Sequence, residues 1–222
     1  MTMKKRVIAK LICINCLFLV LSACSPRLVG EAKAKEAGLA MIQQAYEVDL
    51  SDAVVTVEYR EIEGVTFEYG QTIRYGTEEP LRFYNIRVNP DDENENADYF
   101  ATVNALTGVA YRADKSSSLI PRTEQQQAQA AAVGQGDDLP VEDFEVDDAG
   151  AIKLGEEWVR ERFEPNTPIL CTVANSTMTN NVDFPLFFVD FSVVFINGAI
   201  YDIEVCWPAM EVIGVYLRNQ EY

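Results

Sequence analysis

Apolar positions in this chain follow two periods, and where each holds predicts the elements. Ala34, Gly38, Met41, Ile42 and Tyr46 fall at i, i+4, i+7, i+8 and i+12, which lines up one face of an α-helix. The same spacing returns 117 positions later at Ala151, Gly155, Trp158, Val159 and Phe163, and Glu164 then matches Glu47. A glycine inside a helix costs about 1 kcal/mol relative to alanine. Its recurrence within both stripes predicts that each helix backbone lies close against a sheet.

Strand patterns follow each helix. In the first half, Ala53 to Ile62, Val65 to Tyr75, Leu81 to Asn89, Tyr99 to Asn104 and Val109 to Ala113 are rich in β-branched and aromatic residues. In the second half the segments are Ile169 to Thr177, Leu186 to Ile196, Ala199 to Trp207 and Val212 to Leu217. The short connections imply antiparallel pairing, because a parallel crossover needs a dozen or more residues. One register follows from the pattern itself. A two-residue turn at Asn197 and Gly198 would set Phe191 against Glu204, mixing apolar and acidic side chains on one face. A three-residue loop, Ile196 to Gly198, instead pairs Val193 with Tyr201, Phe191 with Ile203 and Val189 with Val205. Asp190, Ser192, Asp202 and Glu204 then share the outward face.

Between the halves, residues 116–147 hold three consecutive serines, a Gln/Ala tract and a dense acidic stretch, with few residues able to form a core. The predicted organisation is an α+β chain with two copies of a helix packed on an antiparallel β-meander, at 28–115 and 148–222, joined by a flexible linker at 116–147.

Tyr99 to Val109 (YFATVNALTGV) has the form of a strand that ends in a polar-Ala-x-Thr-Gly turn and returns. It resembles the closing hairpin of PepSY-type domains. Asn104 stands where that family usually has Asp, and in the second half a longer turn from Cys206 to Gly214, containing Pro208, replaces the compact one. The resemblance implies a secreted or envelope protein without catalytic residues, and in protease propeptides such domains are associated with restraint of a peptidase.

The N-terminus supplies an address. Lys4, Lys5, Arg6 and Lys10 precede an apolar run from Leu11 to Leu21 and a small-residue cut site, Leu21-Ser22-Ala23-Cys24, the layout of a lipoprotein signal peptide over residues 1–23. Cys24 is then the lipidated first residue, and the membrane is a partner through that lipid. The run is short of the roughly 20 apolar residues that span a bilayer. Cys13 and Cys16 leave with the leader. The chain is thereby placed outside the cytoplasm, anchored to the cell membrane, where a disulfide between Cys171 and Cys206 is chemically permitted. Two buried free thiols are the other reading.

Charge narrows the partners. The whole chain carries a formal charge of −17, and residues 1–23 contain four basic residues and no acidic ones, so the remainder has 14 Lys and Arg against 35 Asp and Glu. A body of net charge −21 repels phosphate backbones, which argues against nucleic acid and leaves basic peptides and cations as the compatible ligands.

The search for chemistry finds little. The chain has no histidine, which removes Ser-His-Asp and Cys-His catalysis and the commonest zinc ligand. No phosphate-binding glycine loop or dinucleotide fingerprint is present. The acidic loop Asp91 to Asp98 alternates oxygen ligands as calcium sites do but lacks the central glycine and terminal glutamate of an EF-hand, and reads as a solvated hairpin tip. The aromatics Trp158, Phe163, Phe187, Phe191 and Phe195 have core periodicity. We therefore expect no enzyme, cofactor or metal. The expected function is a non-catalytic module that binds an envelope protein or peptide, with restraint of a peptidase as its sharper form; the alternative is an envelope spacer without a specific ligand.

Overall fold

The computed structural model describes residues 27–62, 66–68, 72–74, 80–90, 97–120, 146–181 and 184–218. The leader with Cys24, residues 91–96 of the acidic loop and residues 121–145 of the expected linker lie outside the described residues.

Helix α1 (Glu31–Tyr46) is followed by β1 (Val55–Ile62), β2 (Thr66–Glu68), β3 (Thr72–Arg74), β4 (Leu81–Pro90), β5 (Ala97–Asn104) and β6 (Ala110–Lys115). Helix α2 (Asp148–Arg162) is followed by β7 (Ile169–Asn181), β8 (Phe184–Phe195), β9 (Ile200–Trp207) and β10 (Glu211–Leu217). Eight strands form one antiparallel sheet in the order β1-β4-β5-β6-β10-β9-β8-β7. The fold is α+β, and the strand order runs outward from the centre in the same sense on both sides. At the centre β6 and β10 pair antiparallel, Arg112 with Tyr216, Ala113 with Val215 and Asp114 with Gly214. This pairing joins the two halves edge to edge.

Both helices cover the same face. Helix α1 packs on β4, β5 and β6, and α2 on β8 and β9. Beneath them Ile86, Val88, Val103, Phe191, Val193, Ile203, Val205 and Val215 form one buried core. The repeated glycines do what their spacing predicts. A Cβ on Gly38 would stand 2.5 Å from Ile86 Cγ1, and one on Gly155 would stand 2.3 Å from Phe191 Cζ. Either methyl group would overlap a buried side chain of the equivalent strand, so the helices sit at a depth that only glycine permits.

The closing turn of the first half is built by Asn104. Its Oδ1 accepts from the backbone N–H groups of Leu106 (2.8 Å) and Thr107 (2.9 Å), and the Gly108 N–H donates to the Asn104 carbonyl (2.8 Å). Gly108 has φ 76°, where glycine is favoured. The start of α1 is tied to this turn, because Val29 N–H donates to the Ala105 carbonyl. Helix α2 starts on its own cap, Asp147 Oδ1 accepting from Gly150 N–H at 2.8 Å.

The β8/β9 hairpin has the register that its side-chain pattern demands, with Phe191 opposite Ile203, Val193 opposite Tyr201 and Val189 opposite Val205. Phe195 N–H donates to the Ala199 carbonyl around the three-residue loop, and Gly198 has φ 88°. Two expectations are corrected. The segment from Val65 to Tyr75 is not one strand but two, β2 and β3, paired with each other in a separate sheet; Gly70 between them was the available turn signal. The turn after Cys206 is not long either. Pro208 to Met210 alone connect β9 to β10, and an irregularity in register between Val212 and Gly214 absorbs the residue that looked like loop.

Candidate functional site

The pairing at the centre of the sheet decides what faces solvent opposite the helices. Two rows of side chains cross this face. Following the registered pairs, the first row runs Asp190, Glu204, Gly214, Asp114, Phe100 and Arg87. The second runs Ser192, Asp202, Tyr216, Arg112, Thr102 and Asn85. Together they enclose an open groove of about 290 Å³ over the seam, lined among others by Arg112, Asp114, Asn175, Asp190, Asp202 and Glu204. Gly214 forms part of its floor. A Cβ there would approach Glu204 Cβ to 3.1 Å and Asp114 Oδ1 to 3.3 Å, so a bare glycine leaves the two acids facing each other across the seam.

A polar network organises the second-half side. Arg218 Nε donates to Asp202 Oδ2 at 2.6 Å, and the Ser192 hydroxyl donates to Asp202 Oδ1 at 2.6 Å. Ser192 Oγ in turn accepts from Asn175 Nδ2 at 3.0 Å and from an Arg218 guanidinium nitrogen at 3.1 Å. On the first-half side Arg112 Nε pairs with Asp114 Oδ2 at 2.7 Å. Among the described residues Arg112 and Arg218 each engage an aspartate, and the charge of Arg112 also acts on Glu204, which lies beside Asp190. Burial, then the charges of Asp190 and Asp114, push the Glu204 carboxyl up to about 7, and it hydrogen-bonds to Asp190. Burial also raises Asp114, with Arg112 acting against that shift.

The seam is clasped from the other face. The Tyr46 hydroxyl, at the end of α1, lies 3.0 Å from the Ala113 carbonyl of β6 and 2.9 Å from the Ile213 carbonyl of β10. Burial raises this phenol well above its ordinary range, so it stays a donor. Its ring packs on Tyr99 at 5.5 Å and Trp158 of α2 at 6.3 Å. Arg162 reaches from α2 to Glu47 at 2.9 Å, and Gln44 Nε2 donates to the Arg162 carbonyl at 2.7 Å. Lys115 pairs with Glu211 from β6 to β10.

The residues singled out in the sequence fall as follows. Cys171 is an exposed free thiol on the edge strand β7, paired with Val194, and Cys206 is a buried free thiol on β9, paired with Phe188. Strand β8 lies between them, and their partners on it are six residues apart, about 20 Å along a strand. A disulfide needs Cα atoms within roughly 7 Å, so the permitted bridge does not form within this chain. Cys206 packs with Ile120, Ile213 and Phe188, and burial followed by the charges of Glu204 and Glu211 pushes its thiol up to about 12. Phe191 and Phe195 are core, and Trp158 and Phe163 pack against its rim. Among the described residues no three His, Cys, Asp or Glu side chains converge to hold a metal ion, and no helix is long and apolar enough to cross a membrane.

Sequence reasoning found half of the groove. The hairpin register placed Asp190, Ser192, Asp202 and Glu204 together; it did not place Arg112, Asp114, Asn175 and Arg218 beside them, because no local signal reports which edges of the halves meet.

No protein-family model matches the chain, and no curated protein matches it. Among solved structures it is similar to the Bacillus megaterium YpeB C-terminal domain, with 9% sequence identity and a TM-score of 0.40 over 86% of this chain. The chain spans 63% of the length of that one.

Proposed function

We propose that this chain is an extracytoplasmic lipoprotein, anchored at Cys24, whose two PepSY-like units form a non-catalytic module that holds a basic segment of an envelope protein or peptide on the helix-free face. Restraint of a peptidase is the sharpest form of that role. The observation that carries the proposal is the groove over the seam. Four carboxylates, Asp114, Asp190, Asp202 and Glu204, surround it against the two guanidinium groups of Arg112 and Arg218, so its field favours a lysine or arginine side chain. The tandem reading is supported by the repeated helix stripe, by Gly38 on Ile86 repeated as Gly155 on Phe191, and by the Asn104 turn. The basic, then apolar leader ending at Cys24 supports the anchor.

The experiment is capture of envelope proteins on the full chain in detergent at low and high salt. A partner with a basic segment is expected, retained at low salt, released by salt, and lost with Asp190→Asn and Glu204→Gln together. Recovery of no partner, with envelope proteolysis unchanged when the chain is removed, would overturn the binding role.

A spacer without a specific ligand is the second reading, favoured by the state of the sheet edges. Strand β7 is 13 residues long, but its register shifts in three places, and β1 carries Glu58, Arg60 and Glu61 along the other edge. Bulges and charges of this kind discourage strand addition. They direct the search for a partner away from the edges and onto the face.

A further inference from the structure

We infer that the groove is one end of a longer docking surface, and that its occupant is an extended protein segment with a lysine or arginine and apolar side chains two and four positions from it. This rests on the proposed role of the groove as a seat for a basic segment, and adds what must stand beside the basic residue.

Beyond the row of Ser192 and Asp202, the open face continues toward the β8/β9 loop. Strand alternation gives this face Val194 and, just past the end of β8, Ile196. Val194 is registered with Cys171 of β7 on one side and with Ile200 of β9 on the other, and Val173 is registered with Ser192 itself. Val173 is 51% exposed and Ile196 61% exposed, and Cys171 is exposed as well. Apolar side chains scattered singly over a surface need no explanation, but these are neighbours along and across strands.

The fold does not require them. Ile86 and Phe191, each beneath a helix glycine, set the two halves in the same register. Counted from them, Val194 and Ile200 stand where the first half has Asn89 and Asp98, joined by a hydrogen bond of 2.9 Å from the Asn89 amide. Val173 stands where the first half has Thr56, registered with Arg87. A polar surface thus serves the same place in the first half, and the apolar one points to an occupant.

The occupant must match both ends of the surface. Ser192, Val194 and Ile196 are spaced by two residues, about 7 Å along a strand at each step. An extended segment laid along β8 has the same rise and the same alternation. A basic side chain over Asp190 and Asp202, both in the groove lining, therefore sets the side chains two and four positions on over Val194 and Ile196. The apolar stem of a lysine or arginine suits the border between the two parts. An anionic membrane surface is disfavoured because acids adjoin the patch, and a second copy of a chain with formal charge −17 is disfavoured on the same ground.

Selection of short random peptides displayed on phage, against the full chain held in lipid nanodiscs, tests this. Enrichment of a basic residue with apolar residues two and four positions away is expected. A synthetic peptide of the enriched sequence should bind the Val173→Ser, Ile196→Ser double variant at least about tenfold more weakly, at low and high salt alike, since covering an aliphatic side chain contributes on the order of 1–3 kcal/mol. Both positions are exposed, so an unchanged urea unfolding midpoint is expected to show that the variant keeps its fold. Basic peptides without the apolar pattern, bound equally well by the variant, would overturn this inference and leave the basic seat standing. Enriched peptides without a basic residue, or no enrichment at all, would overturn both. Dimers of the chain that the double variant abolishes would also overturn it, by giving the surface to a second copy.

Discussion

On the face under the helices, Gly38 and Gly155 leave no room for a methyl group, and Ile86 and Phe191 are fully buried against them. On the opposite face Gly214 is also crowded, but its neighbours are the acids Glu204 and Asp114 of the groove and not apolar side chains. The same residue type serves two ends. Beneath the helices it brings apolar surfaces into contact, where shape complementarity stabilises the fold. Over the seam it keeps charged groups from being displaced, where the local field matters. The covered face is therefore expected to respond to volume and the open face to charge.

Three substitutions sharpen or break this contrast. Phe191→Ala empties a site with no solvent access under α2, and a loss of about 3–5 kcal/mol is expected in urea unfolding; a loss below about 1 kcal/mol would mean that the covered face does not depend on close packing. Gly155→Ala should destabilise by about 1–3 kcal/mol through overpacking against Phe191 and Ile203. Alanine's helix advantage of about 1 kcal/mol acts the other way, so a stabilised variant would show that the helix can simply move outward. Smallest is Arg218→Ala on the open face, where the guanidinium itself is about half exposed: its effect should stay within about 1 kcal/mol. That effect should shrink further in 1 M salt, measured by the same unfolding curves, because ions screen exposed pairs.

The covered face was legible because its constraints are periodic. A helix stripe with glycines at matched places, and strands whose slip by one residue would bury Asp202 or Glu204, specify their own arrangement. Asn104 was legible too, as the polar residue opening a turn. The open face was legible only where one hairpin builds it. Arg112 and Asp114 belong to a strand whose outer neighbour is about a hundred positions away, and three registered pairs leave no spacing rule in the sequence. The turn at Pro208 was overestimated for a related reason: the register irregularity at Ile213 disturbs the alternation by which a strand is recognised.

The pairing of β6 with β10 also has a consequence in time. A chain made from its N-terminus completes β6 long before β10 exists, so the first half must wait with an open edge. Loop-closure entropy grows only slowly with the length of the intervening chain, and the wait is therefore a matter of synthesis and not of the search that follows it. The Tyr46 hydroxyl has one acceptor from each half, the Ala113 carbonyl and the Ile213 carbonyl, so its clasp is complete only once β10 is in place. The seam therefore cannot close until β10 has been made.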